Sequence, residues 1–252
     1  MEMSKFLIAF IFTLAVHSAH AVDTCSAVFG SSDSPIHSFI SEYRAAHIRP
    51  LDPTMPTEEA GYLILGKLGQ STAKVYLAAD PTTHAFVVVK TNSTIPMFWR
   101  ELMVTDYLVS MGEPVPKIIK AYIKADGTTV IVREYFKGMT GAELSKERNT
   151  ADTNMPLELG GKIWNSLQAE RTRLDGLFSF GDQGRPSFRT WFKSNSTRLE
   201  GKYRDTWNKI SEMKSTDQKL NYDIYDILYV QDFHKGNFLF DISRDQWVVF
   251  DP

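Results

Sequence analysis

Val230-Gln231-Asp232-Phe233-His234-Lys235-Gly236-Asn237-Phe238-Leu239-Phe240-Asp241 is the stretch whose reading decides the fold of this chain, and Val248-Val249-Phe250-Asp251 follows it shortly afterwards. Two apolar runs, Phe238 to Phe240 and Trp247 to Phe250, flank the turn Ser243-Arg244-Asp245 and predict two short strands. Asp232 lies ahead of the first run, Asn237 opens it and Asp251 closes the second. Asp and Asn are also ordinary residues of solvated turns, which is the bland reading of the same letters. The alternative is chemical. Phosphoryl transfer needs one carboxylate to orient or deprotonate a hydroxyl, and further oxygen ligands to hold a divalent cation on nucleotide phosphates. An acid, an amide five residues later and an acid at the end of a nearby strand supply that set.

Upstream, a second group of residues points the same way. Leu65-Gly66-Lys67-Leu68-Gly69-Gln70-Ser71-Thr72-Ala73-Lys74-Val75 is a loop of small and polar residues feeding a β run. Small residues there let backbone N–H groups approach a phosphate closely. Phe86-Val87-Val88-Val89-Lys90 is a β run closed by a lysine, whose apolar stem and cationic tip suit contact with phosphates. Pro96 to Ser110 has helical spacing at Phe98, Leu102, Thr105 and Leu108, and Glu101 lies on it. Val130-Ile131-Val132-Arg133-Glu134-Tyr135-Phe136 is a further β run.

In this order the residues resemble the protein-kinase-like superfamily. Asp232-Phe233-His234-Lys235-Gly236-Asn237 is similar to the Asp-Leu-His-Pro-Gly-Asn wording of its small-molecule branch. The resemblance implies that Asp232 is the catalytic base and that Asn237 and Asp251 hold Mg2+ (or Mn2+). It implies further that Lys90 meets the α and β phosphates of ATP with Glu101 as its ion-pair partner. Gly66, Gly69, Ser71 and Val75 then belong to the nucleotide loop, and backbone groups from Glu134 to Phe136 meet adenine. Ser71 and Ala73 stand where the family carries glycines, and Arg133 stands where it carries an apolar residue. The implied fold is α+β and two-lobed: a small antiparallel N-lobe sheet with one helix over 61–136, and a reduced, mostly helical C-lobe over 137–252. Pro156 to Leu174, Ser187 to Met213 and Thr216 to Leu228 are its candidate helices. The chain stops two residues after the hairpin, so no activation segment is expected.

The first residues read differently. Lys5, the apolar run Phe6 to Val16 and Ala19-His20-Ala21 form a secretory signal pattern with cleavage after Ala21. A run of eleven residues falls well short of the roughly 20 that cross a bilayer, so no stable membrane insertion is expected after cleavage. Ser34 to Ile48 has a helical pattern, and the prolines at 50, 53 and 56 read as a linker, which makes 22–60 a helix-and-linker segment. Cys25 is the only cysteine, so a monomer has no internal disulfide.

Composition narrows the functional classes. The 252 residues carry a net charge of -2, with 43% hydrophobic and 23% charged residues, and such a chain has no basic excess with which to coat a nucleic acid. His234 has no second His or Cys at ligand spacing, so zinc is not expected. Small size and a leader are similar to the minimal effector kinases that bacteria deliver into host cells, including the HopBF family. That resemblance implies a secreted, monomeric protein kinase acting on a host or lumenal protein, such as a host chaperone. A small-molecule kinase of the aminoglycoside or choline type, a pseudokinase binding module and a nucleotidyl transferase remain open on the same residues.

Overall fold

The computed structural model describes residues 56–68, 74–148, 157–216, 228–229 and 232–250. The leader, Cys25, the 34–48 helical pattern, Gly69, Ser71, Ala73, most of the 216–228 candidate helix and Asp251 lie outside the described residues.

Six strands form one antiparallel sheet: β1 (Glu58–Glu59), β2 (Tyr62–Lys67), β3 (Lys74–Ala79), β4 (Phe86–Thr91), β5 (Ile118–Ile123) and β6 (Thr129–Glu134), in spatial order β1-β2-β3-β4-β6-β5. Side-chain oxygens fix its tight turns. Asp80 Oδ1 accepts from the N–H groups of Thr82 and Thr83, both at 2.8 Å, between β3 and β4. Asp126 Oδ1 accepts from Thr128 N at 2.8 Å between β5 and β6, where Gly127 takes a φ of 85° that a side chain would resist. Strand β5 is not expected from the sequence. It is an edge strand with exposed and half-buried residues in no strict alternation, so the period of two that betrays a strand is missing.

Pairing sorts the side chains onto two faces, because neighbours along a strand point to opposite sides. Ile64, Tyr76, Ala78, Val87, Val89, Val130 and Val132 close one apolar cluster. The other face carries Val75 beside Lys90, Leu77 beside Val88, Ile131 beside Lys90 and Arg133 beside Val88. Lys90 and Arg133 are therefore buried charges that share one face of the sheet.

Helix α1 (Ile95–Ser110) links β4 to β5 and is enclosed, with thirteen of its sixteen residues buried. No acidic residue sits in its first turn and no basic residue in its last, so packing holds it rather than complementarity to its dipole. The main apolar core runs from α1 into the helical layer: α2 (Gly141–Arg148), α3 (Leu157–Phe180), α4 (Phe188–Lys202) and α5 (Arg204–Thr216). Helix α3 runs six residues past the expected Leu174, because Leu177 and Phe178 continue its buried stripe. It stops at Gly181, whose φ is 78°.

The single helix expected over 187–213 is instead two, and Tyr203 breaks it. Its φ and ψ of -111° and 36° are not helical. Its hydroxyl donates to Asp106 Oδ1 at 3.1 Å, and its ring meets Trp99 edge-on at 6.4 Å. Those long-range contacts outweigh the continuity of local helix propensity.

A second sheet, β7 (Gly138–Thr140), β8 (Phe238–Asp241) and β9 (Gln246–Val249), is antiparallel in the order β7-β8-β9. Gly138 is required there, since a Cβ would collide with the Phe240 carbonyl. The fold class is thus the α+β one: an antiparallel sheet with one inserted helix, set beside a mostly helical layer that carries a small hairpin sheet.

Candidate active site

Lys90 and Glu101 meet because register and helix phase aim them at the same space. Lys90 Nζ donates to Glu101 Oε2 at 2.7 Å, with side chains only 10% and 4% exposed. The other oxygen of Glu101 accepts from Arg133 Nη1 at 3.0 Å. From sequence Arg133 stands out only as a departure from a family pattern, whereas it is a member of this cluster. The signal was its inward position on β6, two residues past Ile131, the strand partner of Lys90. Val75, the other partner of Lys90, lies on the same face. Gly66 sits at the irregularity in the β2–β3 pairing, opposite Leu77.

Residues 134–136 divide their roles. The N–H of Glu134 donates to Lys117 O at 3.1 Å, and its carboxylate accepts from Lys117 N at 3.1 Å, so both groups hold β5 and neither is left for a base. Phe136 packs with Leu239, Val248 and Phe250, and the Arg244 guanidinium lies 4.2 Å from its ring centre. Leu239 was not singled out from sequence. It forms part of the apolar bed under this segment, and it reads in the sequence as one more strand residue.

The loop that carries Asp232 is held from three sides. Phe233 is buried, with its ring edge-on to Phe178 and Phe238, and its carbonyl accepts from Arg171 Nε at 2.6 Å. Lys235 to Asn237 make one tight 3-10 turn, closed by Asn237 N donating to His234 O at 2.9 Å. Lys235 Nζ donates to Ser145 Oγ at 3.1 Å and lies over the Trp164 ring. Its carbonyl comes so near α2 that a Cβ on Gly141 would stand 2.6 Å from it. His234 Nδ1 accepts from Gly236 N at 2.9 Å, while its Nε2 lies 3.6 Å from Asp232 Oδ1. An Nδ1 that accepts leaves the neutral ring's proton on Nε2, on the Asp232 side.

Asn237 is buried, and its amide is committed: Nδ2 donates to the Asp232 carbonyl at 2.8 Å. With the NH2 group spent, Oδ1 remains as the donor atom for a hard cation, which takes oxygen ligands. Phe250 N donates to Asn237 O at 3.0 Å, so the end of β9 is tied to the loop. Among the described residues no group of three or more His, Cys, Asp and Glu could hold a metal ion. Asp251, the other expected ligand, lies outside them.

Four of the expected residues, Lys90, Glu101, Asn237 and Asp232, are joined by a chain of contacts. It runs from Lys90 to Glu101 and Arg133, then from Arg133 to the Phe250 ring at 5.7 Å. From Phe250 it continues to Asn237, and from Asn237 to Asp232. Two further contacts brace it: Val249 N donates to Pro114 O at 3.3 Å, and Glu113 receives Arg173 and Arg185.

No protein-family model matches the sequence, and no curated protein does. Solved structures are similar to it. The kinase domain of Mycobacterium tuberculosis PknI, in a point-mutant form, is 16% identical at a TM-score of 0.41, over 81% of this chain and 62% of that one. A thermostable mutant of aminoglycoside phosphotransferase APH(4)-Ia is 15% identical at 0.40, over 75% and 67%. The GDP and kanamycin complex of APH(2")-IIia is 14% identical at 0.31, over 73% and 65%. The chain thus spans less than two thirds of the PknI domain. The likeness is one of chain trace, and no activity passes to this protein by it.

Proposed function

We propose that this protein is an ATP-dependent phosphotransferase of the kinase type. The observation that carries the reading is the chain of contacts from Lys90 through Glu101, Arg133, Phe250 and Asn237 to Asp232, which joins a candidate phosphate-binding cation, a candidate oxygen ligand and a candidate base. Lys90 holds the α and β phosphates. Asn237 and Asp251 hold Mg2+ (or Mn2+), whose charge offsets the charge that develops on the transferred group. Val75, Leu77 and Val88 on the Lys90 face of the sheet, with Leu239 and Phe136 of the hairpin cluster, offer apolar surface to adenine. Asp232 accepts the proton of an acceptor hydroxyl as its oxygen forms a bond to the γ phosphorus, and the bond from that phosphorus to the bridging oxygen breaks, leaving ADP.

A protein acceptor, on the host side or in a secretory lumen, is the leading substrate class, with a host chaperone as one candidate. The support is the leader pattern at 1–21. The protein acts as a monomer and needs neither nucleic acid nor a membrane. No helix of the described residues is long and apolar enough to cross one. The wording Asp232-Phe233-His234-Lys235-Gly236-Asn237 favours a second reading, a small-molecule kinase. The test is transfer of γ-labelled phosphate from ATP by the chain beginning at Val22, to lysate proteins and in parallel to aminoglycosides and choline. Asp232→Asn should abolish label on whichever acceptor is used. Equal transfer by that variant overturns the proposal, and nucleotide binding without transfer to any acceptor makes the protein a pseudokinase. N-terminal sequencing of exported protein should begin at Val22.

A further inference from the structure

Arg133 is 3% exposed, a burial that arginine reaches only with a partner. It shares a sheet face with Lys90, since Arg133 pairs with Val88 and Lys90 with Ile131. Its Nη1 occupies Glu101 Oε1 at 3.0 Å while Lys90 Nζ occupies Oε2 at 2.7 Å. Its guanidinium carbon lies 5.7 Å from the centre of the Phe250 ring, one residue before Asp251. An apolar side chain in this place would make neither polar contact.

Building on the phosphotransferase reading, we propose that Arg133 is a positioning residue that sets how tightly Lys90 grips nucleotide phosphate, by holding one oxygen of the Glu101 carboxylate and bracing Phe250. A carboxylate that serves two cations divides its charge between them. Glu101 then offsets less of the Lys90 charge than it would with Lys90 as its one cation, and that difference is open to an anion. Poor solvation enlarges that difference, because charges in a dry site interact more strongly than in water. The guanidinium suits the task, being planar, directional and always protonated. Its stacking on Phe250 adds a cation–π attraction that holds the strand end leading to Asp251.

The test uses the full chain beginning at Val22 with Mg2+, measuring ADP affinity by calorimetry and ATP kinetics by label transfer. Arg133→Met is expected to raise the ADP Kd and the ATP KM about tenfold and to lower kcat by no more than about threefold, the pattern of lost ground-state binding. Arg133→Lys should recover most of that affinity. Introduced into Glu101→Gln, Arg133→Met should shift the Kd by less than about twofold, because its effect passes through Glu101. A lower melting temperature with unchanged Kd and KM overturns the proposal and leaves Arg133 a packing residue. If Arg133→Met does not fold, Arg133→Gln is read in its place, and wild-type affinity there overturns the idea equally. A wild-type chain that binds no nucleotide removes the phosphotransferase reading itself, which separates that failure from this one.

Discussion

Helix α1 carries two buried acids on different sides, Glu101 toward the sheet and Asp106 toward α4, and each accepts from a lysine at 2.7 Å. Five residues at about 100° apiece put them roughly 140° apart around the helix axis. Their geometry is alike and their surroundings are not. The Lys90 side chain is 10% exposed, whereas that of Lys202 is 49% exposed. Asp106 also receives the Tyr203 hydroxyl, a neutral donor, where Glu101 receives a second cation, Arg133. Distance alone therefore ranks neither pair. Water screens one and is kept from the other, so one acts as a clasp between helices while the other concentrates charge at a site.

That contrast can be broken most forcibly at Glu101. Glu101→Gln removes the negative charge that two buried cations share, and it should cost about 3–5 kcal/mol of stability, read as a shift of the urea midpoint. A loss below about 1 kcal/mol would make this cluster no different from a surface pair. Lys90→Met comes next. It should cut phosphate transfer about 10²–10³-fold with stability near or above wild type, since it relieves a buried charge, and label transfer and melting can be followed on one preparation. On the opposite side, Asp106→Asn should cost about 1–2 kcal/mol with transfer rates within about twofold. A collapse of transfer there would mean that the clasp and the site are one unit.

The smallest effect concerns Tyr107, the next residue along, whose hydroxyl donates to Leu177 O and Pro186 O, both at 2.9 Å. Burial pushes its phenol from 10.0 up to about 12. The fold therefore holds the proton more tightly than the unfolded chain does. Its contribution is complete below pH 10 and fades as the pH rises toward about 12. Tyr107→Phe should lose about 1 kcal/mol at neutral pH and show a shallower alkaline decline in melting temperature. An unchanged decline would assign the slope elsewhere, with Tyr203, also raised by burial, the first place to look.

What could be read in the sequence was local. Asp80 and Asp126-Gly127 announce their turns, the apolar runs 86–90 and 238–240 announce strands, and the lysine closing the first run with the glutamate on the next helix announces the Lys90–Glu101 pair. What could not be read depends on partners far away. Tyr203 ends α4 because of Asp106, 97 residues earlier, and no local preference carries that information. Arg133 looks like a misplaced charge until the pairing of β4 with β6 sets it beside the Lys90 row, 32 residues from the carboxylate it shares. Edge strand β5 escapes because it faces water and the protein in no strict alternation.

The enclosure of α1 bears on how the molecule opens. A helix with only three residues outside the interior has no face along which it can fray or swing without uncovering Phe98, Trp99 and Leu102. Its backbone amides should therefore be among the slowest in the protein to trade hydrogen for deuterium, through openings that approach complete unfolding. Access to the Lys90–Glu101 pair should then be governed by the loops and strands around it, with the helix itself as the fixed wall.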